Sequence, residues 1–150
     1  MEEQKAIAVL DHCHGVDGLA GLFFEAADVE RRLPRAIDLR VKTGWPDAPP
    51  DPGLAYGYNE VEVRPSPANA SEVERYDWAL EITPAMDADD ARLVWAVAHS
   101  AVGRARGPRW ALIGRMQGLH AQTVKRRFER AVLDLWYRLQ HVAVGGCNAR

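Results

Sequence analysis

Apolar residues fall at helical spacing in four stretches of the chain, and prolines or glycines fill the intervals between them. In the first stretch Leu19, Leu22, Phe23, Ala26, Val29 and Leu33 recur every three or four positions, which predicts an amphipathic helix from about Asp17 to Leu33. Asp17 is placed to cap it and Pro34 to stop it. The second stretch predicts a helix from about Ala70 to Glu81, with Val73, Tyr76, Asp77 and Leu80 near one side and Thr83-Pro84 as the break. A third helix opens at Asp87, the expected cap with Asp90 three positions on, and turns Leu93, Val94, Val97 and Ala101 inward.

The fourth stretch holds two helical periods. Trp110 to Met116 carries Ile113 and Met116 three apart before Gln117, Gly118, Leu119 and His120 interrupt the pattern. A glycine at 118 supplies the left-handed backbone that ends one helix, Leu119 fills the gap, and His120 or its neighbour starts the next. That last helix has room for about five turns. At roughly 100° per residue, Val124, Phe128, Ala131, Leu135 and Leu139 share one stripe, and Gln122, Lys125, Arg126 and Glu129 lie nearly opposite. Two helices joined in this way read as a helix-turn-helix, the second helix docking by its apolar stripe and offering its polar face to a major groove.

Residues 43–67 have a different character. Pro46, Pro49, Pro50, Pro52, Pro65 and Pro67 exclude a long helix and predict an irregular arm, pinned by Trp45, Tyr56 and Tyr58. Alternation at Ile37, Leu39 and Val41, and at Tyr58, Val61 and Val63, permits one small β-hairpin. The expected fold is therefore mainly α. A helical bundle is divided into an amino-terminal helical segment (1–42), the proline-rich arm (43–69) and a helix-turn-helix region (70–150) within one compact domain. A chain of 150 residues with 47% hydrophobic content can bury such a core.

Charge sharpens the functional reading. The net charge is −2, yet residues 101–150 hold ten Lys or Arg against Glu129 and Asp134, a balance of +8, and residues 1–100 carry the compensating −10. A basic run alone describes a solvated surface. Set beside a turn of the right spacing and an opposed apolar stripe, it is the electrostatic footprint of phosphate contact, with Arg104 and Arg106 flanking. Gln122, Lys125 and Arg126 are the expected base-edge contacts, and Arg109, Arg115, His120, Thr123, Arg127 and Arg130 the expected phosphate contacts. Trp136 and Tyr137 lie partly off the apolar stripe and are candidates for a homodimer seam, with docking by the amino-terminal helix as the alternative.

The segments DADDARLVWAV, WALIG with its GL turn, and TVKRRFERAVLDL resemble the promoter-reading carboxyl-terminal domain of bacterial sigma factors over the last 65 or so residues. Over residues 20–140 the order FFEAADVERRLP, GWP, AYGY, RPSP, DARLVWA, W..IG...GL and TV.RR is similar to a family of small helix-turn-helix proteins borne by phages and prophages of alphaproteobacteria. These resemblances imply DNA binding by the carboxyl-terminal half and transcriptional regulation. A small-terminase-like packaging protein or an RNA polymerase partner would use the same module. Gln117 and Arg127 stand where this motif ordinarily has apolar packing residues, which allows the second helix to shift register by one.

Little else in the sequence carries chemistry. His12, Cys13 and His14 beside Asp11 are zinc-ligand types, but neighbours on a helix point around its axis, and no CxxC or HxxxH spacing accompanies them. No metal or other cofactor is expected. The nucleotide-binding glycine motifs and the GxSxG elbow are missing and no carboxylate dyad is evident, so the expectation is a protein that is not an enzyme. No apolar run reaches membrane-spanning length, and the amino terminus lacks the form of a signal peptide. Cys13 and Cys147 make no disulfide framework. A cytoplasmic protein is expected. The tryptophans are expected to anchor the core.

Overall fold

The computed structural model describes residues 3–33 and 66–145, and all its regular structure there is helical. In chain order the elements are α1 (Glu3–Cys13), α2 (Val16–Arg32), α3 (Ala70–Ile82), a 3-10 turn (Thr83–Ala85), α4 (Ala88–Ala101), α5 (Trp110–Gln117) and α6 (Ala121–Gly145). The mainly α expectation holds for these residues. The suggested hairpin strands, the tyrosine and tryptophan pins of the arm, and Cys147 lie outside the described residues.

The core is one cluster to which all six α-helices contribute. Leu19, Leu22, Phe23, Ala26 and Val29 of α2 are buried as their spacing requires. So are Leu93, Val94 and Val97 of α4, and Val124, Phe128, Ala131, Val132, Leu135 and Leu139 of α6. Because the α6 stripe lands inward and Arg127 stays exposed, the one-residue shift does not occur. α6 runs for 25 residues, about seven turns rather than five. Its inward stripe continues to Leu139 and no helix breaker intervenes before Gly145.

Other expectations are corrected. Gly15, not Asp17, is the cap position of α2; Asp17 sits in the first turn, where a carboxylate favours the helix dipole without capping. Leu33 leaves the helix in extended conformation, as the residue before a proline prefers. On α3 the buried residues are Ala79 and Ile82, while Leu80 is 43% exposed and Asp77 is also outward. Ion pairs set that rotation: Arg75 Nε donates to Glu25 Oε1 at 2.9 Å, and Arg32 Nη2 donates to Glu72 Oε1 at 2.9 Å, both joining α2 to α3. Asn69 and Glu72 form a reciprocal capping box at the start of α3. Asp87 holds the cap position of α4 but its side chain makes no capping bond; its carboxylate lies 3.7 Å from Arg138 of α6.

Helix α1 was not anticipated. It buries Ala6, Val9 and Cys13 and packs along α2 and α6. Trp78, Trp95, Trp110 and Trp136 are each half-buried against the core, and Trp95 Nε1 donates to Thr83 Oγ1 at 3.0 Å.

Candidate nucleic-acid interface

Two glycines in unlike surroundings make the junction between α5 and α6. Gly118 adopts φ 66°, the left-handed conformation that ends α5. Gly114 lies so close to the following strand of backbone that an added Cβ would stand 2.5 Å from the Leu119 carbonyl oxygen. The Leu119 N–H donates to the Gly114 carbonyl at 2.8 Å, closing the turn. Leu119 then packs on the core, taking the part that Met116 was expected to share; Met116 is 79% exposed because α5 meets α6 through Ile113 and Gly114 instead. The Trp110 ring meets Phe128 of α6 edge-on at 5.7 Å and completes the seam.

His120 caps α6. Its Nδ1 accepts a hydrogen bond from the Gln122 N–H at 3.3 Å, and its carbonyl accepts from the Thr123 and Val124 N–H groups. With Nδ1 so used, the neutral ring carries its proton on Nε2, which is then a donor on an exposed side chain. Gln122, Thr123, Lys125 and Arg126 are all exposed on the first two turns that follow. Gln122 and Arg126, four apart, share the outermost line, with Lys125 beside it and paired to Glu129 at 3.7 Å.

The remaining expected residues divide by flank. On the α5 side, Arg104, Arg109 and Arg115 line an open groove with Pro108, Trp110 and Ala121, the first residue of α6. The loop that brings them there is made of two turns, closed by Arg104 N–H to Ala101 carbonyl at 3.0 Å and Gly107 N–H to Arg104 carbonyl at 3.2 Å. Ser100 Oγ accepts from the Arg109 N–H at 3.1 Å and fixes the entry to α5. On the α4 side, Arg127 lies 3.7 Å from Asp90, and Arg130 lies 3.7 Å from Asp134. Five of the six expected phosphate-contacting residues are thus not equivalent: two stand beside carboxylates, and three (Arg109, Arg115 and His120) surround the start of α6.

Farther along α6, Trp136 is half-buried against the core and Tyr137 is 53% exposed, so the two suggested seam residues face different surroundings. The amino-terminal cluster separates as well. Cys13 is buried, and burial pushes its thiol up to about 11; His12 meets Trp78 edge-on at 5.7 Å and His14 is exposed. Among the described residues no group of three metal-ligating side chains converges, and no helix is long and apolar enough to cross a membrane.

Sequence reasoning missed Arg31. The α2 helix lays its guanidinium against Gly103, where a Cβ would stand 3.2 Å from Nη1, at the edge of the arginine loop. No local signal links positions 72 residues apart, so only the packing of α2 on α4 reveals it.

No curated protein and no solved structure matches the chain. The model of a family described as a domain of unknown function, DUF6362, matches residues 31–135, from the last turn of α2 into the second half of α6. Because that match spans more than half of the 150 residues, the chain belongs to the DUF6362 family.

Proposed function

We propose that this protein binds duplex DNA sequence-specifically through a helix-turn-helix formed by α5 and α6, and that it regulates transcription. The observation that carries this reading is the division of α6. Val124 and Phe128 are buried in the core, while Gln122 and Arg126 stand outermost on the same two turns, next to the arginine-lined groove at the helix start. A helix held so firmly on one side and so polar on the other suits insertion into a major groove, where base edges are reached from its amino-terminal turns. In this reading Gln122, Lys125 and Arg126 contact base edges, Arg for the O6 and N7 of guanine and Gln for the N6 and N7 of adenine. Arg109, Arg115, His120 and Thr123 contact phosphates on the approach. The reading requires no cofactor.

Selection of random duplex fragments on the purified protein at near-physiological salt, followed by sequencing, tests it. A sharp motif that blurs in Arg126→Ala is the expected result, each good bidentate pair contributing roughly 1–3 kcal/mol of discrimination. A palindromic motif would point to a homodimer. Enrichment confined to packaging genes would favour the terminase-like reading, and retention only together with RNA polymerase the sigma-like one. No retention above a charge-matched control overturns DNA binding altogether.

A further inference from the structure

The two flanks of α6 have unlike electrostatics, and this decides how a duplex would approach. On the α4 flank three arginines meet three aspartates: Arg127 with Asp90, Arg130 with Asp134 and Arg138 with Asp87, each at 3.7 Å. These pairs are exposed or half-exposed, so each contributes little to stability. Their sum is what matters here. Beyond the roughly 8 Å over which charge is felt at physiological ionic strength, three alternating pairs present no net field to a phosphate. A phosphate brought up to any one of these arginines also meets a carboxylate.

The α5 flank has the opposite composition. From position 91 to 128 the sequence contains no acidic residue, and Arg104, Arg106, Arg109, Arg115 and Arg126 fall within that span. All five are exposed, and among the described residues none has a carboxylate within 4 Å. Three of them, Arg104, Arg109 and Arg115, already line one groove that ends at the first residue of α6.

We infer that Arg104, Arg106, Arg109 and Arg115 form a one-sided phosphate clamp that tracks one DNA strand along the α4–α5 loop and α5. The aspartates at the start of α4, with Asp134, mask the α4 flank from the backbone of the other strand. The inference rests on the DNA-binding reading and deepens it. It also removes Arg127 and Arg130 from the phosphate-contacting set expected from sequence and puts Arg104 and Arg106 in their place. The same field would attract any polyanion, so the clamp differs from a general basic patch only by its sidedness.

Salt titration of binding to the selected duplex, read by fluorescence anisotropy, tests this directly. Each phosphate contact contributes about 0.9 to the slope of log affinity against log salt. The triple variant Arg104→Ala, Arg106→Ala, Arg115→Ala should lower that slope by about three. The double variant Arg127→Ala, Arg130→Ala should leave it unchanged. Unmasking is the decisive arm: Asp90→Asn with Asp134→Asn should raise the slope by about two and tighten binding at low salt, as the freed arginines gain phosphates. The substituted side chains are exposed except Asp90, which is half-buried, and unchanged melting temperatures identify folded variants. Equal slope losses for the triple and the double variant, scaled per arginine, or no gain on unmasking, overturn the clamp and leave DNA binding standing. Failure of the wild-type protein to bind any duplex overturns both.

Discussion

Arginine does two different jobs in the two halves of this molecule. Between α2 and α3 the guanidiniums of Arg32 and Arg75 are mostly covered, at 11% and 23% side-chain exposure, and each is held by a carboxylate across the interface. Around the α4–α5 loop and α5 the guanidiniums of Arg104, Arg106, Arg109 and Arg115 are exposed and have no carboxylate partner among the described residues. The same side chain is mortar in one place and an unspent charge in the other. Burial beside a carboxylate marks the structural arginine, because a covered charge must be paired. Exposure without a partner marks the arginine available to a ligand. Composition alone does not separate them.

Several measurements would break or sharpen this contrast. The largest effect lies in the support beneath the candidate interface. Phe128→Ala, which removes a ring stacked on Phe24 and met edge-on by Trp110, should cost about 3–5 kcal/mol in urea unfolding. Gly114→Ala comes next, at about 1–3 kcal/mol, since its Cβ cannot clear the Leu119 carbonyl. It should impair DNA binding more than an equally destabilising change in α3; equal impairment would show that the turn has no special role. Arg75→Ala should lower the melting temperature measurably, whereas Arg104→Ala should stay within about 0.5 kcal/mol of wild type, as exposed positions do. If the two variants melt alike, the structural and available classes of arginine collapse into one.

Acid offers a finer test. Arg32, through its hydrogen bonds, holds the Glu72 carboxyl below the usual carboxylate range, with the Asn69 backbone contributing. A carboxyl depressed in the folded state stabilises the fold fully at neutral pH and loses that stabilisation as pH falls through its lowered value. Glu72→Gln should therefore be less stable than wild type at neutral pH and converge with it in strong acid. The smallest effect concerns Cys13. Its thiol, pushed up to about 11 by burial, should react with a thiol reagent at pH 8 only as fast as the fold opens, measured in a Cys147→Ser variant.

How much of this was legible in the sequence depends on residue size and on distance along the chain. The α6 stripe and the Gly118 turn were readable because large aliphatic and aromatic residues recur at strict spacing and a glycine interrupts them. Helix α1 was not, because its buried face is built from Ala6, Val9 and Cys13, small side chains whose period is faint. The rotation of α3 was misread for a different reason. Its apolar pattern is weak, and the Arg75 and Glu72 pairs to α2, 50 and 40 residues away, decide which side faces in. Sequence likewise located the basic segment without distinguishing its flanks, since Asp87 and Asp90 meet Arg138 and Arg127 only after α4 packs on α6.

One consequence of α6 reaches beyond packing. The helix is a single unbroken rod of 25 residues, about 37 Å long, whose inner side is locked into the core from Val124 to Leu139. Side chains at its amino end therefore inherit their placement from the whole bundle and have no loop of their own to relax into. Docking such a rod carries little ordering entropy, so a ligand of matching shape is met by a surface already set. The cost is adaptability: in the proposed DNA-binding reading, a duplex whose groove differs in width or pitch is discriminated against by rigidity itself, before any base edge is contacted.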